Sequence, residues 1–323
     1  MNNIKYIFLS VALCAFTATA MTAQDLESLN RPANARSLSM GGTDMASGAY
    51  GSNIMTNPAS MALADETFSI QGNYMGIPST NLLNHFNLAA YYSLSERYAI
   101  SVYGQGSFGN KRMEADLYGN ALGMFQPYEY TVGAGFAAEI IDGFAIGLNA
   151  KMVNSTRMSD KWLATLPGYK NAYAFAADLS LMYTIQGFRV AAGVNNIGTK
   201  IKYSSNENYK GSDLPTAVRL GFGYGKEWEK HSLDATLQAD YLIFHSEFYA
   251  GVGAEYGFND MLFVRGGYHF SQNAVNCLPQ YASAGLGVKF FGINLDLAYM
   301  IPFGTGNSDN FNNTFMISLG WSF

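Results

Sequence analysis

The chain has 323 residues, a formal net charge of -5, 13% charged residues, 15% aromatics and 34 glycines. So few charges would leave a water-soluble domain poorly solvated, and charge spread evenly along the chain offers no basic stripe for nucleic acid. No stretch reaches the ~18 uninterrupted apolar residues of a membrane helix.

The N-terminus reads as a secretory signal peptide over residues 1–23. Met1 to Lys5 is a short basic region, Tyr6 to Phe16 an apolar one, and Thr17 to Ala23 a small-residue approach to cleavage before Gln24, with cleavage after Ala20 as the alternative. Cys14 follows Leu13 rather than a small residue, which argues against a lipid anchor. Beyond the signal peptide the sole cysteine is Cys277, so an intrachain disulfide is excluded.

Residues 24–34 (QDLESLNRPAN) are polar and read as a loose leader at the inner, periplasmic end. Residues 35–64 are rich in Gly, Ser, Ala and Met, with no period of two. From about Thr67 to Phe323 the chain alternates apolar with small or polar residues, the mark of half-buried strands. Phe68, Ile70 and Tyr74 share the first such face; Tyr173, Phe175, Leu179, Leu181, Tyr183 and Ile185 share a later one; Phe315, Ile317, Leu319, Trp321 and Phe323 share the last. Fourteen strands are counted, an even number, with the first pairing the last. The connections alternate short (Ser95–Arg97, Asp142–Gly143, Gln186–Gly187, Phe291–Gly292) and long (Gly109–Gln126, Arg157–Asn171, Gly198–Pro215), with a short exception at Phe244–Glu247. This asymmetry fits periplasmic turns and outer loops, and places both chain ends in the periplasm.

The expected fold is therefore all-β: a transmembrane antiparallel barrel of about 14 strands over residues 67–323, with leader and lumenal plug over 24–66. Closure leaves no unpaired backbone edge in hydrocarbon. Aromatics near strand ends (Tyr91, Tyr92, Tyr98, Tyr128, Tyr130, Tyr281, Tyr299, Trp321) are read as interfacial girdles. Outer-membrane lipid is the implied surrounding partner. Gly-X-Gly runs such as Gly221–Gly223 and Gly251–Gly253 face the lumen and leave room for the plug.

Polar residues on the inward parity (Glu139, Asn149, Lys151, Asp178, Arg189, Arg219, Asp234, Gln238, Asp240, Glu255, Arg265, His269, Asp296) should line the lumen and pair there, because charge within a membrane needs water or a partner. Glu139 and Lys151 are read as one such pair. The four histidines lie far apart without metal-ligand spacing, no cofactor loop is present, and no GxSxG, Walker or HExxH motif occurs. His231 and Ser232 are adjacent and so point oppositely on a strand. An enzyme is not expected.

The plug motif is Arg36, Met40, Gly41 and Gly42, followed by Asn57 and Pro58. Gly41-Gly42 permits close approach or positive φ, Asn57 can bond local backbone, and Pro58 fixes a turn. Ala35–Gly42 and the Asn57-Pro58-Ala59 segment resemble the N-terminal hatch of FadL-like outer-membrane proteins, and the short plug and aromatic C-terminus resemble their PorV/PorQ branch. Ser39 and Thr56 depart from the usual pattern.

That resemblance implies fourteen strands around a hatch. It also implies a component of type IX protein secretion and surface attachment, with secreted cargo C-terminal domains and other secretion components as partners. The alternatives are a FadL-like channel for long-chain fatty acids or other hydrophobic small molecules, which the Met-rich plug would suit, and a mainly structural barrel. Recognition would fall on the long outer loops, where Trp162, Tyr169, Tyr203 and Tyr209 combine aromatic surface with charge.

Overall fold

The computed structural model describes residues 26–78, 84–116, 118–165, 167–244, 246–272, 278–304 and 311–323. The signal peptide and Cys277 lie outside them. Fourteen strands form one closed antiparallel barrel: β1 (Phe68–Gly76), β2 (Asn84–Ser95), β3 (Tyr98–Phe108), β6 (Tyr128–Ile141), β7 (Phe144–Thr156), β8 (Ala172–Ile185), β9 (Phe188–Gly198), β10 (Ala217–Trp228), β11 (His231–Leu242), β12 (Glu247–Phe258), β13 (Leu262–Ser271), β14 (Gln280–Phe290), β15 (Ile293–Phe303) and β16 (Phe315–Ser322). Two further strands, β4 (Arg112–Ala115) and β5 (Ala121–Phe125), form a separate hairpin within the first long loop.

The ring closes between first strand and last, as the sequence implies. Ser69 pairs Ser322, and Phe68 and Phe323 exchange backbone hydrogen bonds of 3.0 and 3.1 Å. Parity is as read. In β8, Tyr173, Phe175, Leu179, Leu181, Tyr183 and Ile185 are exposed on the outer wall, while Ala172, Ala174, Asp178, Ser180 and Met182 are buried inside. Branched and aromatic side chains thus face lipid, and small or hydrogen-bonded ones face inward. Two expected girdle residues prove otherwise. Tyr91 and Tyr281 are buried on the inner parity, Tyr281 with its ring stacked 4.9 Å from that of His269.

Residues 26–64 are held by inward-facing groups of strands from all around the ring. The α-helix α1 (Ala35–Ser39) opens with Asn34, whose side chain accepts a hydrogen bond from the Ser37 N–H. Ala35 N–H donates to Ser318 of β16 (2.8 Å), Ser52 N–H to Gln71 of β1 (3.0 Å), and Ala59 N–H to Ser180 of β8 (3.0 Å). The Asp44 and Met45 amides both donate to Gln238 of β11 (2.8 Å each).

The lumen-facing glycines explain how backbone fits there. A Cβ on Gly253 would stand 2.5 Å from that of Met40, and one on Gly221 2.7 Å from that of Met45. Gly147 likewise accommodates the Pro58–Ala59 backbone.

The leader departs from expectation. Residues 26–30 do not hang loosely at the short-turn end. Leu26 is 2% exposed and packs with Val153, Ala172, Ala174, Ile201 and Leu214 at the long-loop end. Ser28 donates to Glu129 (3.0 Å), and the Asn30 side-chain carbonyl accepts from Arg219 (2.9 Å).

Candidate functional site

Three charged groupings line the lumen, and each joins strands whose pairing the sequence leaves open. The largest begins in α1. Arg36 grips Glu255 of β12 through two hydrogen bonds, from Nε (2.9 Å) and Nη2 (3.0 Å), the fork geometry that suits guanidinium to carboxylate. Glu255 is shared with Arg265 of β13, and Arg265 reaches Asp296 of β15 at 2.5 Å. Asp296 in turn accepts from the Tyr50 hydroxyl (2.7 Å). On the other side Arg36 lies 3.6 Å from Asp234 of β11, which Arg189 of β9 holds at 2.5 Å. Signs alternate along this chain, so each buried charge meets opposite charge on at least one side. Burial alone would weaken the proton affinity of Arg36, but Glu255 and Asp234 raise it above the usual arginine value.

The second grouping is Lys151 of β7 with Asp178 of β8, at 2.7 Å. The third is Arg219 of β10 with Asp240 of β11 at 3.6 Å, to which Gln238 adds hydrogen bonds of 2.9 and 3.0 Å. Eight of the nine lattice residues read from the sequence are thus in ion pairs. Glu139 is not. Its register partner is Ala145, six residues along β7 from Lys151, and its carboxylate accepts from Gly143 N–H in the short turn (2.7 Å). Parity shows the face of a strand but not the height of a partner, which is why the expected Glu139–Lys151 pair fails.

The hatch motif acts as backbone and anchor. Gly41 and Gly42 take φ of 73° and 78°, conformations that L side chains rarely adopt. A Cβ at Gly41 would also lie 2.7 Å from the Val252 carbonyl oxygen. The Gly41 carbonyl faces His269 Nδ1 at 3.1 Å. Asn57 caps the 3-10 turn Pro58–Leu63, accepting from Ala59 N–H (3.1 Å) and donating to the Met45 carbonyl (2.6 Å).

Asp44, in the segment between, is fully buried beside Arg219, Asp240 and Tyr281. Burial is the largest influence on it and pushes its pKa up to about 6 from 3.8. A carboxyl whose folded pKa is raised holds more protons in the seated state than in the released one. Seating therefore strengthens as pH falls from about 6 towards 3.8 and weakens above it, by up to about 3 kcal/mol. Protection of the residue 35–64 amides, with exchange corrected for its intrinsic base-catalysed pH dependence, is expected to be greater at pH 5 than at pH 7.5. Asp44→Asn should flatten that difference and match the better-protected limit at both. Equal pH dependence in the two proteins would exclude Asp44 as its source.

At the long-loop rim the segments carrying Tyr169 and Tyr203 are joined, Tyr169 bridging Ser204 and Lys170 N–H donating to the Tyr203 carbonyl (2.9 Å). Trp162 lies half-buried in a short helix, α2 (Asp160–Ala164), capped by Ser159. Tyr203 is half-buried, with its hydroxyl on Ser155 (2.8 Å) and Arg157 over its ring at 4.6 Å. Tyr209 is half-buried and Tyr169 exposed. The β4–β5 hairpin is what sequence reading missed: its tip presents Tyr118, 90% exposed, beside the cross-strand pair Met113 and Met124. The alternation that would have marked it is too short to read.

Two cavities beside the segment are lined by charged groups. One of about 30 Å³ is lined by Asn30, Arg219, Asp240, Tyr249 and His269, room for no more than a water or two. Another of about 500 Å³, at the short-turn end, is lined by Arg36, Arg189, Asp234, Glu255, Arg265 and Lys289 among others.

A family model described as "Type IX secretion system protein PorV" matches residues 19–236, two thirds of the chain. The chain belongs to the PorV family. Solved structures of similar fold include the toluene transporter TbuX of Ralstonia pickettii (15% identity, covering 90% of this chain and 98% of that one, TM-score 0.58) and the P. putida toluene transporter TodX (13%, 90% and 98%, 0.63). A third is the monoaromatic hydrocarbon channel CymD (14%, 90% and 97%, 0.56). At such identities they show a shared barrel fold. No curated protein matches the sequence. The family model's description is of a secretion protein.

Proposed function

We propose that this PorV-family barrel acts in type IX secretion without catalysis, receiving protein cargo or secretion partners on its long-loop rim. In this reading the mature chain begins near residue 24. The short turns face the periplasm, the long loops face outward, and residues 35–64 act as a plug. The observation that carries it is the filled lumen. Backbone threads between lumenal glycines and is locked by Arg36 to Glu255, which leaves recognition to the surface above. The β4–β5 hairpin supports it, since large exposed side chains on a loop carried by a rigid wall suit protein contact.

The test is excision of residues 112–125, with Lys111 joined to Gln126 through a Gly-Ser link. The barrel should still migrate as a heat-modifiable species, while surface delivery of cargo falls roughly tenfold. The second reading, a FadL-like channel for apolar molecules, draws on the apolar side chains clustered around Leu26 and on the Met-rich segment 35–64. Unchanged delivery with lost uptake of a long-chain apolar solute would install that reading instead.

A further inference from the structure

The outer wall carries a groove that neither the lumen nor the rim explains. Eight outward-facing residues define it on three adjacent strands. Gly104 of β3 forms the floor, with Gly106 beyond it covered by the Phe86 ring; Phe86 and Leu88 of β2 stand on one side and Tyr130 and Val132 of β6 on the other. Phe108 and Tyr128 close it towards the long-loop end. The glycine floor leaves a trough of about 440 Å³. Its aromatic border is continuous. Phe86 stacks on Phe108 (centroids 5.4 Å apart, 9° between planes), Phe108 meets Tyr128 at 6.3 Å, and Tyr128 stacks on Tyr130 at 6.4 Å.

The charges above the groove have one sign. The ladder runs one step past Phe108, where Gly109 N–H donates to the Pro127 carbonyl (2.9 Å). Lys111 and Arg112 follow, both exposed, with Arg112 Nη2 also donating to the Arg157 carbonyl (2.6 Å). The nearby acids are engaged elsewhere. Glu129 points inward to Ser28 and Ser155, Glu114 accepts from Ser159 N–H (3.3 Å), and Asp116 holds the Tyr118 and Asn120 amides at the far tip of the hairpin. An apolar trough of acyl-chain width beneath a basic lip has the profile of a site for an anionic lipid.

We propose that the β2–β3–β6 groove binds a phosphate-bearing glycolipid of the leaflet facing the long loops, with one acyl chain over Gly104 and against the Phe86 ring, and phosphate at Lys111 and Arg112. The choice of leaflet rests on the orientation proposed above. Binding to the purified barrel does not, so the two can fail separately.

The mature chain, purified in detergent, is mixed with equal amounts of lipid A, phosphatidylglycerol and phosphatidylethanolamine, and retained lipid is counted by native mass spectrometry. Wild type should keep one lipid A, in roughly tenfold preference to phosphatidylethanolamine. Gly104→Leu fills the trough, and the nearest atom to a Cβ there is 3.8 Å away, so the wall accepts the change. That variant should keep its heat-modifiable migration and lose lipid A about tenfold, the effect of displacing one or two methylenes from contact. Lys111→Ala with Arg112→Ala should abolish the preference for lipid A while phosphatidylethanolamine retention stays unchanged. Retention by Gly104→Leu equal to wild type would overturn the groove, and equal retention of lipid A and phosphatidylethanolamine by wild type would overturn the headgroup assignment. A preference for phosphatidylglycerol over lipid A would overturn the glycolipid.

Discussion

Arg36→Ala is expected to release residues 35–64 from the lumen while leaving the fourteen-strand wall assembled. The wall is joined by its own ladders and does not need α1 for closure. Among the links that hold the segment, Arg36 carries the only guanidinium it offers to the lattice. Breaking a buried pair costs about 3–5 kcal/mol when the partner is left uncompensated. Here Glu255 keeps Arg265 and Asp234 keeps Arg189, so the lower figure applies. A loss of about 3 kcal/mol raises local opening on the order of a hundredfold. The Leu38, Met40 and Asn57 amides, bonded within the segment at 3.0, 3.1 and 2.8 Å, should exchange faster by that factor, with strand amides unaffected. Arg36→Lys keeps the charge but loses the fork and should fall between. Unaltered exchange at these three amides would show that the glycine fit alone holds the segment.

The parts of this molecule legible in its sequence are those that a single strand decides by itself. Lipid on one side and a packed lumen on the other impose a period of two, so Leu179 to Ile185 declare their face without knowledge of any neighbour. Gly251 and Gly253 are legible for a similar reason, since only a close approach from inside rewards paired glycines on the inner parity.

Relations between distant strands are not legible. Arg36 and Glu255 are 219 positions apart, and nothing local to either indicates the other. Tyr91 and Tyr92 could not both face lipid. The structure turns Tyr91 inward against the segment and leaves Tyr92 outside. The leader misled for a chemical reason. Its polar side chains suggest solvent, yet Ser28 and Asn30 find their partners in Glu129 and Arg219, because the lumen is itself polar. Leu26 and Leu29 anchor it, too slight a signal to weigh from composition.

Asp178→Ala should be the most damaging single change in the wall. Asp178 sits where the β8–β9 register shifts between Ala177 and Leu179, opposite Asn196, whose φ is 62°. Its carboxylate binds together what the bulge would otherwise leave apart. It accepts from Lys151 Nζ at 2.7 and 2.9 Å and from the Asn196 amide at 2.7 Å. Truncation leaves the Lys151 ammonium and an Asn196 N–H buried with nothing in their place, a loss of about 3–5 kcal/mol. Lys151→Met should cost less, since the carboxylate keeps the Asn196 amide and a longer contact from Asn149 at 3.5 Å. Lys151→Met combined with Asp178→Leu should recover most of the loss, because the charge left unpaired in the single variant is gone and side-chain volume is retained. Urea unfolding in detergent, followed by tryptophan fluorescence and the heat-modifiable band, gives the three values. The double variant should be more stable than Asp178→Ala by about 2 kcal/mol or more. If it is no more stable, the bulge needs a carboxylate acceptor for Asn196 rather than relief from an unpaired charge.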